Sequence, residues 1–131
     1  MTTIDKLAWI YLKDKKILGA RSKGKSVYYL PGGKREAGET DQEALIREIE
    51  EELSVVLTPE TLKHLHTFQG QAHGKAEGVQ VQLSCYTGQY TGNIKPSAEI
   101  EQVKWLRFQD KEECSETMRI VIDYLKEKGL I

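Results

Sequence analysis

Long apolar runs are missing from this sequence. No stretch approaches the roughly 20 residues that a membrane-spanning helix needs, so no membrane span is expected. Cysteine is scarce: Cys85 and Cys114 stand far apart and form no CxxC pair. Two reduced thiols of a cytosolic protein are the natural reading, with one disulfide as the alternative. An excess of either charge is also missing, with 19 basic and 20 acidic residues and a formal net charge of −1. That balance gives no global field for a nucleic-acid duplex or an anionic membrane, although local charge still serves a phosphorylated small molecule. The opening stretch "MTTIDKLAWIYL" lacks the basic start, apolar core and small-residue cleavage site of a secretory signal, which points to the cytoplasm. Repeats, low-complexity tracts and linkers are absent as well, so one domain over residues 1–131 is expected.

What is present is the composition of an ordinary globular chain, 39% hydrophobic and 30% charged. "LAWIYL" (7–12) reads as a strand, "KDKK" as a turn and "ILGARS" (17–22) as a second strand. "SVYYLP" (26–31) reads as a third, stopped by Pro31 and the Gly32–Gly33 pair. From Thr40 the pattern turns helical. Thr40 and Glu43 fit a capping box, and Leu45, Ile46, Ile49 and Leu53 recur at helical spacing, which predicts a helix over about 41–53. "TPETLKHL" is ambiguous, "HTFQGQA" and "VQVQLSCYTG" read as strands, and "GQYTGNIKPSAE" as a loop. "EQVKWLRF" (101–108) is another strand. A second amphipathic helix over 115–129 is capped by Ser115 and buries Met118, Val121, Ile122 and Leu125. The order β-β-β-α-β-β-β-α predicts an α+β fold with a mixed sheet between helices.

The first helix collects acids. In "REIEEELS" (47–54), Glu48, Glu50, Glu51 and Glu52 crowd together, although like charges at helical spacing cost roughly 0.2–0.5 kcal/mol per pair. At about 100° per residue, Glu51 and Glu52 flank Glu48, whereas Glu50 falls about 200° away. The apolar stripe borders the 48/51/52 patch. A merely solvated face usually mixes signs, and here Arg47 at the edge is the basic residue within reach. Partly buried like charges need a counter-ion, and three carboxylates suit a hard divalent cation, Mg²⁺ or Mn²⁺.

The spacing extends upstream. Gly33, five residues, Glu39, seven residues, then Arg47-Glu48-Ile49-Glu50-Glu51-Glu52-Leu53-Ser54-Val55 resembles the Nudix box, with Ser54 where that family has glycine. "LPGG" before it and "EQVKWL" after a loop holding Glu99 resemble the family too. The resemblance, to small mutator-type members, implies an α/β/α sandwich. It implies metal binding by Glu48, Glu51 and Glu52, with the Gly32 carbonyl as a further ligand. Glu39 matches a loop acid that positions the helix or metals, and Arg47 an arginine that orients a box carboxylate. The implied reaction is Mg²⁺-dependent hydrolysis of a nucleoside diphosphate linked to another group. A nucleoside triphosphate is the leading substrate. An ADP-ribose or other nucleotide-sugar pyrophosphatase, a non-catalytic nucleotide-binding domain and an acidic interaction helix are the alternatives. A homodimer is compatible with the chain.

The general base is open among Glu99, Glu101 and Glu77, with Glu99 favoured by its place before the "VKW" strand. A left-handed residue is expected at position 54, where serine costs on the order of 1 kcal/mol, unless the helix ends differently. His64 and His66, two apart, should share a strand face, and zinc is disfavoured for want of a third ligand. His73 reads as a surface histidine, Trp9 and Trp105 as core or cleft walls. One of Tyr28 and Tyr29 should reach the cleft, with base stacking by Tyr28 as an option, and Arg21 and Lys23 are candidate phosphate contacts.

Overall fold

A computed structural model describes residues 2–71, 75 and 77–131. His73 lies outside the described residues. In chain order the elements are strand β1 (Thr2–Trp9), β2 (Leu12–Lys13), β3 (Lys16–Ser22), β4 (Gly32–Gly33), helix α1 (Asp41–Leu53) and β5 (Val56–Leu57). There follow a 3-10 turn (Pro59–Thr61), β6 (Lys63–Gln71), β7 (Val79–Thr87), β8 (Tyr90–Thr91), β9 (Ile100–Leu106), a 3-10 stretch (Phe108–Glu113) and helix α2 (Glu116–Glu127).

A mixed sheet in the order β4-β1-β7-β6 forms the centre, with β1 and β7 parallel and the other pairs antiparallel. Beside it, β2-β3-β9 make an antiparallel sheet, and β5 and β8 a short ladder. Strand alternation divides the core. Leu7 and Trp9 join the stripe of α1 (Leu45, Ile49 and Leu53), whereas Ala8, Phe68 and Leu83 join that of α2 (Met118, Val121, Ile122 and Leu125). The mixed sheet therefore lies between the two helices, as the element order predicts.

Both helices start where the sequence places them. Thr40 Oγ1 accepts from the Glu43 amide at 3.2 Å and Glu43 Oε1 from the Thr40 amide at 2.9 Å, closing the capping box of α1. Ser115 Oγ accepts from the Met118 amide at 3.2 Å and starts α2. Position 54 ends α1 in the left-handed conformation, φ 64° and ψ 23°, so serine occupies the backbone geometry that glycine suits.

Four expectations change. Residues 26–31 form no strand: Tyr29 bridges Ala20 and Tyr28 bridges Cys114, and the Gly32–Gly33 pair itself pairs with β1. Tyr28 gives its amide to Glu113 and accepts from Ser115 instead of continuing a ladder. The first strand begins at Thr2 rather than Leu7, because Asp5 and Lys6 fit its polar end. The stretch 88–99 is not all loop, since Tyr90–Thr91 pairs with β5. A bulge between His64 and His66 turns the two rings to opposite faces: His64 meets Tyr86 and Thr67, His66 stacks on Tyr124. Both cysteines are free and buried, and burial raises their thiols, Cys85 to about 12 and Cys114 to about 11.

Candidate active site

A cavity of about 540 Å³ opens between the two sheets. Ile4, Lys6, Val81 and Leu83, from one face of β1 and β7, line one side. Tyr29, Ser22 and Ile100 form the opposite wall, and Gly32, Gly33, Glu48, Glu52 and Glu99 line the acidic rim.

Each acid is delivered by a local reason. Helix α1 is held by its cap and its apolar stripe, so its 48/51/52 face looks past β4. Glycine lets β4 come close. A Cβ on Gly33 would stand 2.4 Å from the Glu48 carboxyl carbon, and one on Gly32 only 2.0 Å from the Leu7 carbonyl oxygen. The Gly32 amide donates to Glu52 Oε1 at 3.0 Å, and Glu52 is 8% exposed. The loop carrying Glu99 is tied to the end of α1, where the Lys95 and Ser97 amides donate to the Leu53 and Glu52 carbonyls at 2.9 Å each.

Arg47 braces the opposite side. It reaches both oxygens of Glu39 at 2.7 and 2.8 Å, Glu48 at 2.9 Å, Glu51 at 3.3 Å and the Lys34 carbonyl at 3.1 Å. The Glu36 amide also donates to Glu39, at 2.7 Å. Arg47, followed by the Glu36 amide, holds the Glu39 carboxyl down to about 2. Glu39 is not among the cavity-lining residues, and its geometry is that of a brace for Arg47.

The cavity acids behave oppositely. Burial pushes the Glu52 carboxyl up to about 8, opposed by the Gly32 amide and reinforced by Glu48, Glu99 and Glu51. Burial also raises Glu48, against the pull of Arg47. Among the described residues no three acidic, histidine or cysteine side chains already close on an ion: Glu48 and Glu51 lean on Arg47, and Glu51 is exposed. The donor chemistry nevertheless fits a hard divalent cation. All donors are oxygens, and the buried carboxylates raise one another's proton affinity, so positive charge among them relieves a cost the protein bears without it. Glu48, Glu52 and Glu99 line the cavity with Gly32, whereas Glu51 does not line it and is exposed beside Arg47.

Of the other candidate bases, Glu101 is bound to Arg21 at 2.6 Å and Glu77 does not line the cavity. Arg21 is thereby committed, bonding also to Gln102 at 3.0 Å, and neither it nor Lys23 lines the cavity. Tyr29, not Tyr28, forms the wall, while Tyr28 is packed at 7% exposure. Trp9 is fully buried, donating to the Gly88 carbonyl at 3.1 Å. Sequence reasoning missed Lys6, Lys25, Lys34 and Lys75, which all line the cavity. The charged Asp5-Lys6 step directly before the apolar run from Leu7 is the signal that could have found the first.

The Nudix domain profile matches residues 4–123. The chain belongs to the Nudix family. Among solved structures, a MutT Nudix hydrolase from Burkholderia pseudomallei superimposes with TM-score 0.78 at 22% identity, covering 94% of this chain and 98% of that one. The E. coli ORF135 protein gives TM-score 0.75 at 21% identity, covering 97% of this chain and 91% of the other. A UDP-X diphosphatase gives 0.72 at 19% identity, covering 98% of this chain and 64% of the other. At these identities the likeness shows a shared Nudix fold. No curated protein matches the sequence at significance. Family membership makes the chain a hydrolase acting on pyrophosphate bonds.

Proposed function

We propose that this chain is a single-domain, Mg²⁺-dependent cytoplasmic hydrolase that cuts the diphosphate bond of a nucleoside triphosphate. The observation that carries the reading is Glu52, buried at the cavity rim on the Gly32 amide and beside Glu48 and Glu99. Buried free thiols support the cytoplasm. No helix among the described residues is long and apolar enough to cross a membrane.

The protein's own groups divide the work. Glu48, Glu51, Glu52 and the Gly32 carbonyl would hold Mg²⁺ or Mn²⁺, which would offset phosphate charge and lower the pKa of a water. The Gly32 amide fixes the direction of Glu52, and Gly33 leaves the Glu48 carboxylate the space a methyl group would fill. Arg47, held by Glu39, keeps Glu48 and Glu51 turned to one side. Glu99, whose carboxylate has no ion-pair partner among the described residues, accepts the proton of the attacking water. Tyr29 and the apolar side formed by Ile4, Val81 and Leu83 exclude water from the nucleoside end.

Phosphate and pyrophosphate release on a panel of nucleoside triphosphates, ADP-ribose and nucleotide sugars, with Mg²⁺ and with EDTA, tests the proposal. Mg²⁺-dependent release from triphosphates is expected. Release confined to nucleotide sugars would overturn the substrate, and no release from any compound would leave a binding domain.

A further inference from the structure

Two arginines hold the loop between β4 and α1. Residues 34–40 belong to no helix or strand, so side chains set their course. Arg47 takes the Lys34 carbonyl and both oxygens of Glu39, and lies 3.2 Å from Glu36. Arg35 leaves the loop and bridges two further elements. Its guanidinium donates at 2.6 Å to Asp41 Oδ1, on the first residue of α1, and to Asp5 Oδ2 on β1. Tyr86 of β7 donates its hydroxyl to Asp41 Oδ2 at 2.7 Å. Burial first, and then Asp41, hold that phenol up to about 12, so it keeps its proton and stays a donor. The other oxygen of Asp5 is shielded and has no hydrogen-bond partner among the described residues. Arg35 is therefore the group that offsets the Asp5 charge. None of Asp5, Arg35, Asp41 and Tyr86 lines the cavity. Ion pairs as exposed as these contribute little to stability, yet β1, α1 and the loop all meet at this one guanidinium.

We propose that Arg35, seated on Asp5 and Asp41 and backed by Tyr86, is a positioning residue for the hydrolase: it fixes the 34–40 loop, and the loop fixes Arg47 against Glu48 and Glu51. The inference rests on the hydrolase reading above but concerns residues outside the cavity. The path is short. Arg35 lies between Lys34, whose carbonyl accepts from Arg47, and Glu36, whose amide donates to Glu39. Releasing Arg35 frees both neighbours. Arg47 then loses the frame that sets its reach to Glu48 at 2.9 Å and to Glu51 at 3.3 Å. Carboxylates that wander must be ordered by the incoming ion, so the loss falls on metal affinity. Substrate affinity is set by the cavity walls, which the clamp does not touch.

Two measurements separate this role from plain structural support. In metal-free protein, the heteronuclear NOE of the Arg47 Nε–H group reads whether its fork is held. Its value should drop in Arg35→Met to that of a mobile side chain. Arg35→Lys can keep only one of the two bonds and should lie between. In the hydrolysis assay, the Mg²⁺ concentration for half-maximal rate should rise at least about 10-fold in Arg35→Met. KM for the nucleoside triphosphate at saturating Mg²⁺ should stay within about 2-fold of wild type. Tyr86→Phe removes one hydroxyl, keeps the ring, and should shift both readings the same way by less. Thermal midpoints should stay within about 5 °C of wild type, so assays well below them read folded protein. An Arg47 group as rigid in Arg35→Met as in wild type would overturn the clamp, as would an unchanged Mg²⁺ requirement. If Arg35→Met does not fold, Arg35→Lys and Tyr86→Phe carry the same two tests. A wild-type chain that hydrolyses nothing, with Arg47 freed in Arg35→Met, would overturn the hydrolase reading and leave the hold on Arg47 standing.

Discussion

The Gly32 amide donates to Glu52 Oε1 across 3.0 Å, joining the shortest strand of the mixed sheet to the last turn of α1. Through this one bond a side chain buried by the helix is aimed by the sheet. Glu52→Gln keeps the shape and can keep the bond, but loses the charge. Turnover should fall by more than about 100-fold, since supporting groups around a metal ligand alone cost 10- to 100-fold. Steady-state kinetics at saturating Mg²⁺ check this; near-normal turnover would remove Glu52 from the mechanism.

The same residue sets a pH dependence in metal-free protein. Its carboxyl rises from 4.5 to about 8 on folding, so the fold favours the protonated form. That stabilisation is complete below about pH 4.5 and is lost as pH climbs through about 8, amounting to a few kcal/mol. Thermal melts in EDTA should show Tm falling from pH 5 to pH 9. Glu52→Gln should flatten the slope, and parallel slopes in the two proteins would contradict the assignment.

Gly32 and Gly33 should fail in different ways. Alanine at 32 meets the Leu7 carbonyl and a φ of +147°, so Gly32→Ala should cost more than about 2 kcal/mol of stability. Alanine at 33 meets only the movable end of Glu48. Gly33→Ala should melt close to the wild type yet lose turnover. Urea denaturation beside kinetics distinguishes the two, and equal stability losses would refute the contrast.

Arg47 holds Glu39 and Glu48 in one fork. Arg47→Met should let the Glu39 carboxyl, now near 2, rise toward the ordinary carboxylate range, with the Glu36 amide still holding it down, as read by carbon-detected NMR. Activity should fall by about 10- to 100-fold. Arg47→Lys should recover only part of it, because an ammonium cannot reproduce the two parallel bonds.

Ser54 sits at φ 64° and its hydroxyl makes one exposed bond to the Lys95 carbonyl at 3.3 Å. Ser54→Gly should stabilise the fold by about 1 kcal/mol, a Tm rise of about 3–5 °C. A lower Tm would show that the hydroxyl contributes more than the backbone strain costs.

Local signals carried the helices. The Thr40–Glu43 pair and the stripe Leu45–Ile49–Leu53 act within a few residues, so α1 could be read to its ends, and the burial gradient from Glu52 to Glu51 follows from the same helical wheel. The Glu99 loop was visible as a candidate because it precedes a strand with a clear pattern. Long-range pairings were not legible. Tyr28 and Tyr29 have every local property of a strand, yet their partners are Cys114 and Ala20, chosen by the tertiary fold. The bulge that parts His64 from His66 depends on the register with β7. Lys6 was passed over as a site residue because a charged side chain in a strand usually meets solvent, and here the opposing sheet encloses it.

The wall that carries Tyr29 is fastened to β3 through mutual bonds with Ala20, both 2.8 Å. Residues 23–27 between that fastening and Ser22 belong to no ladder. Side-chain exchanges in this stretch keep the bond from the Lys23 amide to the Glu99 carbonyl, 2.8 Å, and touch no ladder. A lineage built on this scaffold is free to acquire new substrates by rewriting one short segment, while its cutting machinery is inherited unchanged.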